Sequence, residues 1–150
     1  MTSPPINIEP KTKEFRKWYN ENPDCLHVAI KANNVFLVEY LIASGANVNS
    51  KRGKRKQTPL HIAVHYRHNF IPLLIASGAD PMLTNKAGFT PMHTLLMCKD
   101  HGKTLHMKHV VELAKGGVDI WKESPLGTIF ELACHYPTIA EFLVKNYHKP

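Results

Sequence analysis

One six-residue phrase is written four times along this chain of 150 residues. It reads TPLHIA at residues 58–63, DCLHVA at 24–29, TPMHTL at 90–95 and, in a more divergent form, TIFELA at 128–133. The phrases begin 34, 32 and 38 residues apart. A period of this size is typical of stacked copies of one small unit, because a single unit cannot bury its apolar face alone. We therefore expect a repeat architecture rather than one globular core.

A second phrase follows each of the first three copies at a similar distance. It reads GANVN at residues 45–49, GADP at 78–81 and GVDI at 117–120. Two phrases in register over several copies resemble the ankyrin repeat, from residue 24 to the C-terminus. The resemblance implies helix-turn-helix units joined by β-hairpin-like connections. It also implies that one histidine of each unit hydrogen-bonds the backbone of the adjoining connection; these are His27, His61 and His93.

The residues at the unit boundaries support this arrangement on physical grounds. Thr58 and Thr90 each precede a proline, which favours a helix start because the threonine caps an unpaired backbone N–H and the proline lacks one. Asp24 can cap in the same way. Apolar residues at helical spacing predict a second helix, and a glycine ends it because glycine readily adopts positive φ. The apolar sets are Val38, Leu41 and Ile42; Ile71, Leu74 and Ile75; Val110, Leu113 and Ala114; and Ala140, Leu143 and Val144, and the glycines are Gly45, Gly78 and Gly117.

The predicted fold is an all-α ankyrin-repeat solenoid of about four repeats with an N-terminal half-repeat cap. Phe15, Trp18 and Tyr19 share one side of a short predicted helix, which is either this cap or part of an aromatic tail. The fourth copy has Glu131 in the histidine position, as expected of a terminal capping repeat. The predicted segments are a disordered tail (1–12) and a single domain (13–150), made of the cap (13–23), three repeats (24–57, 58–89 and 90–127, the last with an insertion) and the capping repeat (128–150).

The formal net charge of +7 is partly concentrated in one run, with five cations among residues 51–56. Repeat alignment places this run at the tip of a connection. Three interpretations are open: a solvated loop, a docking patch for an acidic partner, or a nuclear localisation signal. Nucleic-acid binding is disfavoured, since no zinc finger or helix-turn-helix motif surrounds the run. The run consists of Lys51, Arg52, Lys54, Arg55 and Lys56.

The rest of the composition argues against several other classes. No apolar run approaches the roughly 18 residues of a membrane span, and no secretory signal is visible. The cysteines, Cys25, Cys98 and Cys134, are sparse and odd in number, which indicates a reducing intracellular compartment. We expect a cytoplasmic monomer with no membrane partner, which enters the nucleus if the basic run is a localisation signal.

One group of potential metal ligands lies in and beside the extra residues of the third copy. Its cysteine-to-histidine spacing is tolerable for a metal, but structural zinc sites pair their ligands more tightly. Cys134 and His135 are neighbours on a predicted helix, so their side chains point about 100° apart and do not form a nucleophile–base pair. We predict no catalytic residue, no metal and no cofactor. The group consists of Cys98, His101, His106 and His109.

The resemblance also identifies contact positions, since the family's variable binding residues lie at connection tips and just after the first phrase. On this sequence they are basic and aromatic, and such side chains often serve as binding hot spots. We expect a non-catalytic adaptor, scaffold or inhibitor that binds a protein with an acidic surface through its concave face. The alternatives are a nuclear regulator of transcription factors, a microbial or viral effector, and an enzyme using the His/Cys group. The predicted contacts are Lys31, Lys54, Arg55, Gln57, His65, Tyr66, Lys86, Phe89, Met97, Trp121, His135 and Tyr136, with Ala32 and Cys98 beside them.

Overall fold

The computed structural model of this chain describes residues 12–98 and 107–147. Helices dominate these residues, and the strands among them form one short hairpin. The prediction of an all-α repeat solenoid is confirmed. In chain order the elements are α1 (Lys13–Glu21), α2 (Cys25–Lys31), α3 (Val35–Ala43), α4 (Pro59–Tyr66), a 3₁₀ turn (His68–Phe70), α5 (Ile71–Ala76), α6 (Pro91–Met97), α7 (Met107–Lys115), β1 (Glu123–Ser124), β2 (Gly127–Thr128), α8 (Ile129–Ala133) and α9 (Pro137–Asn146).

The helices that follow α1 form four pairs, and equivalent helices of successive pairs pack side by side. The inner row consists of α2, α4, α6 and α8, and the outer row brings α5, α7 and α9 together. The core runs continuously through the pairs, with Leu26, Leu60 and Met92 at equivalent buried positions. Each unit therefore buries its apolar face against its neighbours. We call the surface formed by the ends of the inner helices and the connection tips the inner face.

Three threonines start inner helices in the same way. The hydroxyl oxygens of Thr58, Thr90 and Thr128 each accept the backbone N–H of the residue three positions later. In the fourth copy, the Glu131 carboxylate accepts the Thr128 backbone N–H at 2.7 Å. Together these bonds form a complete capping box. The divergent fourth copy therefore keeps the helix start of the second and third copies.

Asp24 does not cap α2, and that expectation was wrong. Its side chain makes no hydrogen bond to the helix start, and its backbone has φ −92° and ψ 2°. A capping residue normally has an extended backbone, which aims its side chain at the first turn. The Asp24 carboxylate lies 3.9 Å from Arg52 Nε instead, so it pairs with the following connection.

Glycine ends the second helix of the first three units, as predicted. Gly45, Gly78 and Gly117 have φ values of +92°, +89° and +87°, and a Cβ at any of them would meet no atom within 4 Å. The left-handed backbone, rather than lack of space, therefore favours glycine here.

Helix α1 covers the apolar end of the first unit. Thr12 caps it, because its hydroxyl oxygen accepts the Phe15 N–H at 3.2 Å. Phe15 is 2% exposed and Trp18 is 9% exposed. Tyr19 stacks on Phe15 with ring centroids 5.9 Å apart, and its hydroxyl oxygen accepts the Asn47 N–H at 3.1 Å. The aromatic residues of the short predicted helix are therefore packing residues.

Some predicted features lie outside the described residues. They are the tail up to residue 11, most of the insertion at 99–106, which includes His101 and His106, and residues 148–150. In the part of the chain that the structure describes, no helix has the length and apolar character needed to cross a bilayer.

Candidate protein-binding surface

Each of the first three inner helices carries one histidine whose ring reaches the backbone of a connection. Its Nε2 atom lies within hydrogen-bond distance of a backbone carbonyl oxygen of the next connection. Since a carbonyl oxygen only accepts, Nε2 carries the proton of the ring. At the starts of α4 and α6, Nδ1 accepts the backbone N–H of the threonine that caps the helix. The structural role implied for these histidines is confirmed. The pairs are His27 with Gln57 (3.0 Å), His61 with Phe89 (2.8 Å) and His93 with Lys122 (3.2 Å).

Burial favours the neutral form of these imidazoles. Desolvation lowers the pKa of His61 to about 4, from an ordinary value of 6.5. The same cause lowers the pKa values of His27 and His93. At neutral pH each ring is therefore neutral and donates from Nε2, and in His61 and His93 the Nδ1 atom also accepts a backbone N–H. These bonds position the connections relative to the inner helices.

Main-chain bonds also hold the connection tips. Arg52 and Gln57 exchange both backbone hydrogen bonds, at 2.9 and 3.0 Å, and close the basic run into a hairpin. The Lys86 backbone N–H donates to the Arg55 carbonyl oxygen at 2.8 Å, which joins this hairpin to the next tip. The tips are therefore fixed relative to one another by backbone atoms, whatever side chains they carry.

A cavity of about 320 Å³ opens on the inner face, between two tips and the ends of α4 and α6. Much of its wall is apolar, formed by Ala87, Phe89 and Met97. On one side, His65 Nδ1 and Cys98 Sγ lie 3.3 Å apart and join the two helix ends. The structure thus brings five of the predicted contacts, and Cys98, around one opening. The lining residues are Arg55, Gln57, His65, Asn85, Ala87, Phe89, Thr94, Met97 and Cys98.

Three cations, Lys54, Arg55 and Lys86, lie beside the cavity, and we call them the rim cations. They line a second hollow of about 250 Å³, which shares Arg55, Asn85 and Ala87 with the cavity. All three are exposed. Among the described residues, the ion pairs involve other cations, namely Arg52, Lys115 and Lys145. The rim cations therefore present positive charge that no described carboxylate neutralises.

The inner face continues from the cavity toward the first unit. The Tyr66 ring contacts the His65 ring edge-on, with centroids 4.4 Å apart. The Lys31 ammonium lies 4.9 Å from the Tyr66 ring centroid, within the range of a cation–π contact. Lys31, Tyr66 and His65 therefore form a continuous basic and aromatic path that ends at the cavity.

Comparison with known proteins agrees with this architecture. A family model described as ankyrin repeats, in three copies, matches residues 8–85 and 26–121 of the chain. The chain belongs to the ankyrin-repeat family.

Three known proteins each match about half of this chain. Human 2-5A-dependent ribonuclease is 39% identical over 83 residues, which are 55% of this chain and 11% of the relative. Human palmitoyltransferase ZDHHC13 is 37% identical over 81 residues, 53% of this chain and 13% of the relative. A putative ankyrin repeat protein of fowlpox virus is 34% identical over 80 residues, 53% of this chain and 24% of the relative. The match therefore spans a quarter or less of each relative, and the activities in their names belong to much longer proteins.

Several predicted contacts lie away from the cavity of this ankyrin array. The Trp121 ring packs 5.2 Å from the Phe130 ring, measured between centroids. The Tyr136 hydroxyl donates to the Leu96 carbonyl oxygen at 3.3 Å. His135 is exposed near the end of α8. Trp121 and Tyr136 thus hold neighbouring elements together, and a role in binding stays a prediction for all three.

Sequence reasoning did not include Asn85, Ala87 and Thr94, which also line the cavity. The Asn85 side-chain oxygen accepts the backbone N–H groups of Ala87 and Phe89, at 3.0 and 3.1 Å, and so shapes the tip. An asparagine three residues before a glycine, here Gly88, is a recognisable turn signal, and the Gly88 N–H donates to the Asn85 carbonyl oxygen at 3.0 Å. Ala87 and Thr94 carry no such signal, because their contribution is the space that a small side chain leaves.

The described part of this ankyrin chain was predicted to hold neither a metal nor a catalytic residue, and three observations concern its cysteines and histidines. Within residues 12–98 and 107–147, no group of three or more His, Cys, Asp or Glu side chains could hold a metal ion. Of the proposed ligands, Cys98 contacts His65, and the His109 ring stacks on the His68 ring at 4.3 Å. Burial raises the pKa of the Cys25 thiol to about 11, which keeps it protonated and a poor nucleophile at neutral pH.

Proposed function

We propose that this ankyrin-repeat chain is a non-catalytic module that binds a partner protein with an acidic surface through its concave inner face. It would act as an adaptor, a scaffold or an inhibitor that occludes its partner. The observation that carries the proposal is the juxtaposition of an apolar-walled cavity with the three rim cations.

Physical arguments support this choice of surface. Protein-binding surfaces derive most of their affinity from a few aromatic, Met and Arg side chains around a well-packed centre, and Arg55, Phe89 and Met97 meet at the cavity. Positive charge beside that centre speeds the encounter with an acidic partner and disfavours basic ones. Since backbone and imidazole bonds hold the tips in place, little conformational entropy is lost on binding.

Charge reversal at the inner face tests the proposal. The triple variant Lys54→Glu/Arg55→Glu/Tyr66→Ala should keep the fold, because all three side chains are exposed. It should retain its main interactor about tenfold less well than wild type, or lose it, since two attractive charges become repulsive. The measurement is a quantitative pull-down, with circular dichroism to compare the melting temperatures.

A matched control carries the same change in charge at the N-terminal end. The variant Lys13→Glu/Lys17→Glu/Phe36→Ala reverses two exposed lysines and removes one exposed ring. Its interactor should be captured as by wild type. An interactor that both variants retain equally would mean that the inner face is not the binding surface.

A narrower candidate is a regulator that enters the nucleus, favoured by the exposure of four of the five cations in residues 51–56. Fusing residues 50–57 to a cytosolic fluorescent reporter should move the reporter into the nucleus if this role is right. The same fusion with Lys54→Ala and Arg55→Ala should remain cytosolic. Retention of the unchanged fusion in the cytosol would argue against nuclear entry through this run.

A further inference from the structure

We infer that the cavity between α4 and α6 is an anchor pocket for one large apolar side chain of an acidic linear segment, whose flanking carboxylates bind Lys54, Arg55 and Lys86. The inference rests on the proposed function, because it names the chemistry of the partner at the same face. The inference makes a narrower claim than the proposed function, because it requires the partner to supply a linear segment, a buried anchor side chain and carboxylates close to that anchor.

The size and lining of the cavity suit a single side chain. Its volume of about 320 Å³ is at the low end of the range of roughly 300–1,000 Å³ for ligand sites. Phe89 and Met97 supply apolar wall, and methionine adapts its shape to an inserted ring or branched chain. An aromatic or large aliphatic side chain would therefore remove this apolar surface from water.

The charge beside the cavity selects the residues that flank the anchor. The rim cations are exposed, and no described carboxylate forms an ion pair with them. Arg55 lines both the cavity and the adjoining hollow, so it can bind a carboxylate close to the anchor. Its guanidinium can donate two parallel hydrogen bonds to one carboxylate. Complementarity of charge therefore favours an acidic segment.

The pocket is already formed without a ligand. The 2.8 Å bond between Lys86 N–H and the Arg55 carbonyl oxygen sets the spacing of the two tips. The 3.3 Å contact between His65 Nδ1 and Cys98 Sγ closes the side between the helix ends. A rigid site of this kind lowers the cost of binding, because few side chains must be ordered.

A nucleic acid fits these features less well. Nucleic-acid surfaces combine a track of cations with ring faces on which successive bases stack. Here the three rim cations surround one hollow, and the Phe89 ring is a half-buried wall of the cavity. The exposed Tyr66 ring is already in contact with the Lys31 ammonium and the His65 ring. The inference therefore commits to a peptide segment, and the test includes an oligonucleotide.

The probe is a ten-residue peptide with one central Phe flanked on each side by Asp and Glu. It is titrated into the full ¹⁵N-labelled chain and followed by NMR. Shift changes should saturate and concentrate on the amides of Ala87, Phe89 and Met97. A peptide with Ala in place of Phe, and one with Asn and Gln in place of the acids, should each bind about tenfold more weakly.

A variant of the protein tests the same pocket from the other side. Ala87 is exposed and lines both hollows, so Ala87→Glu should leave the fold intact while placing a negative charge beside the rim cations. It should weaken binding of the acidic peptide by about tenfold or more. The control Thr138→Glu adds the same charge at an exposed position of α9 and should bind like wild type.

Four results would overturn the inference: no saturable shifts, shifts centred elsewhere, equal binding of the neutral peptide, or saturation of the same amides by a single-stranded oligonucleotide. Comparison with the pull-down separates the two proposals. If Ala87→Glu retains an interactor that the triple variant loses, the inner face binds a partner without the pocket, and only the inference fails. If the triple variant retains its interactor, the proposed function fails.

Discussion

Acidification from pH 7 to pH 4 should reduce the free energy of unfolding by several kcal/mol, with His61 carrying the largest single share. Burial lowers the pKa of His61 to about 4 in the folded chain, whereas an ordinary histidine, as in the unfolded chain, has a pKa of 6.5. Between these values the unfolded chain binds more protons, so stability is complete above about pH 6.5 and falls as the pH decreases toward 4. At 1.36 kcal/mol per pKa unit, this one residue contributes on the order of 3 kcal/mol.

His27 and His93 act in the same direction, because burial lowers their pKa values too. Protonation would add a second proton to the ring, at Nδ1, which in His61 accepts the Thr58 N–H. The charged ring would therefore lose its local acceptor role inside a buried site. All three contacts between a histidine and a connection should weaken together as the pH falls.

Urea unfolding at a series of pH values measures this effect. The slope of the free energy of unfolding against pH measures how many more protons the unfolded chain binds. Between pH 6.5 and 4, this number should be lower in the variant His61→Gln by up to one proton. In the control Thr138→Gln the slope should match wild type, because the change removes no titratable group and Thr138 is exposed. Equal slopes in wild type and His61→Gln would contradict the assignment of acid sensitivity to the buried imidazole.

Phe15→Ala should destabilise the chain by about 3–5 kcal/mol, since it removes a fully buried ring from the end of the core. The ring contacts Trp18, Tyr19 and Tyr40 with centroids about 6 Å apart, and all of these contacts would be lost. For a chain of this size, each kcal/mol shifts the melting temperature by about 2–4 °C. A decrease of about 10 °C is therefore expected in a thermal melt.

The matched control for this variant is Phe36→Ala. Phe36 and Phe15 both contact the Tyr40 ring, so the two substitutions lie in the same region. Phe36 is 62% exposed, so its removal should change the free energy of unfolding by about 0.5 kcal/mol or less. Hydrogen exchange adds a second readout. In Phe15→Ala, amides of α2 and α3 should exchange faster while those of α8 remain protected, because each unit contacts only its neighbours. Equal effects of the two substitutions would show that α1 does not cap the array.

Much of the fold could be predicted because its determinants are local and recur. The threonine caps and the glycines with positive φ each depend on a few adjacent residues. Their recurrence along the chain gives the period near 33 residues. Asp24 shows the limit of this reasoning, since its backbone conformation and its pairing with Arg52 decide its role. Glu131 shows the reverse: the departure from the histidine pattern is itself a normal capping-box residue.

The sequence predicted some of the residues that line the candidate site, but not the shape of the site. His65 and Cys98 are one period apart, and positions one period apart become neighbours when units stack, so their contact could have been inferred. The cavity could not have been inferred from the sequence. It depends on the side-chain packing of Phe89 and Met97 and on the small size of Ala87 and Thr94. Periodicity alone contains neither of these quantities.

The bonds that position the tips use the main-chain carbonyls of Arg55, Gln57 and Phe89. Their side chains can therefore be exchanged without breaking those bonds. Randomising these three positions and selecting by display should yield variants with new targets on an unchanged backbone, which makes this chain a starting framework for engineered binders.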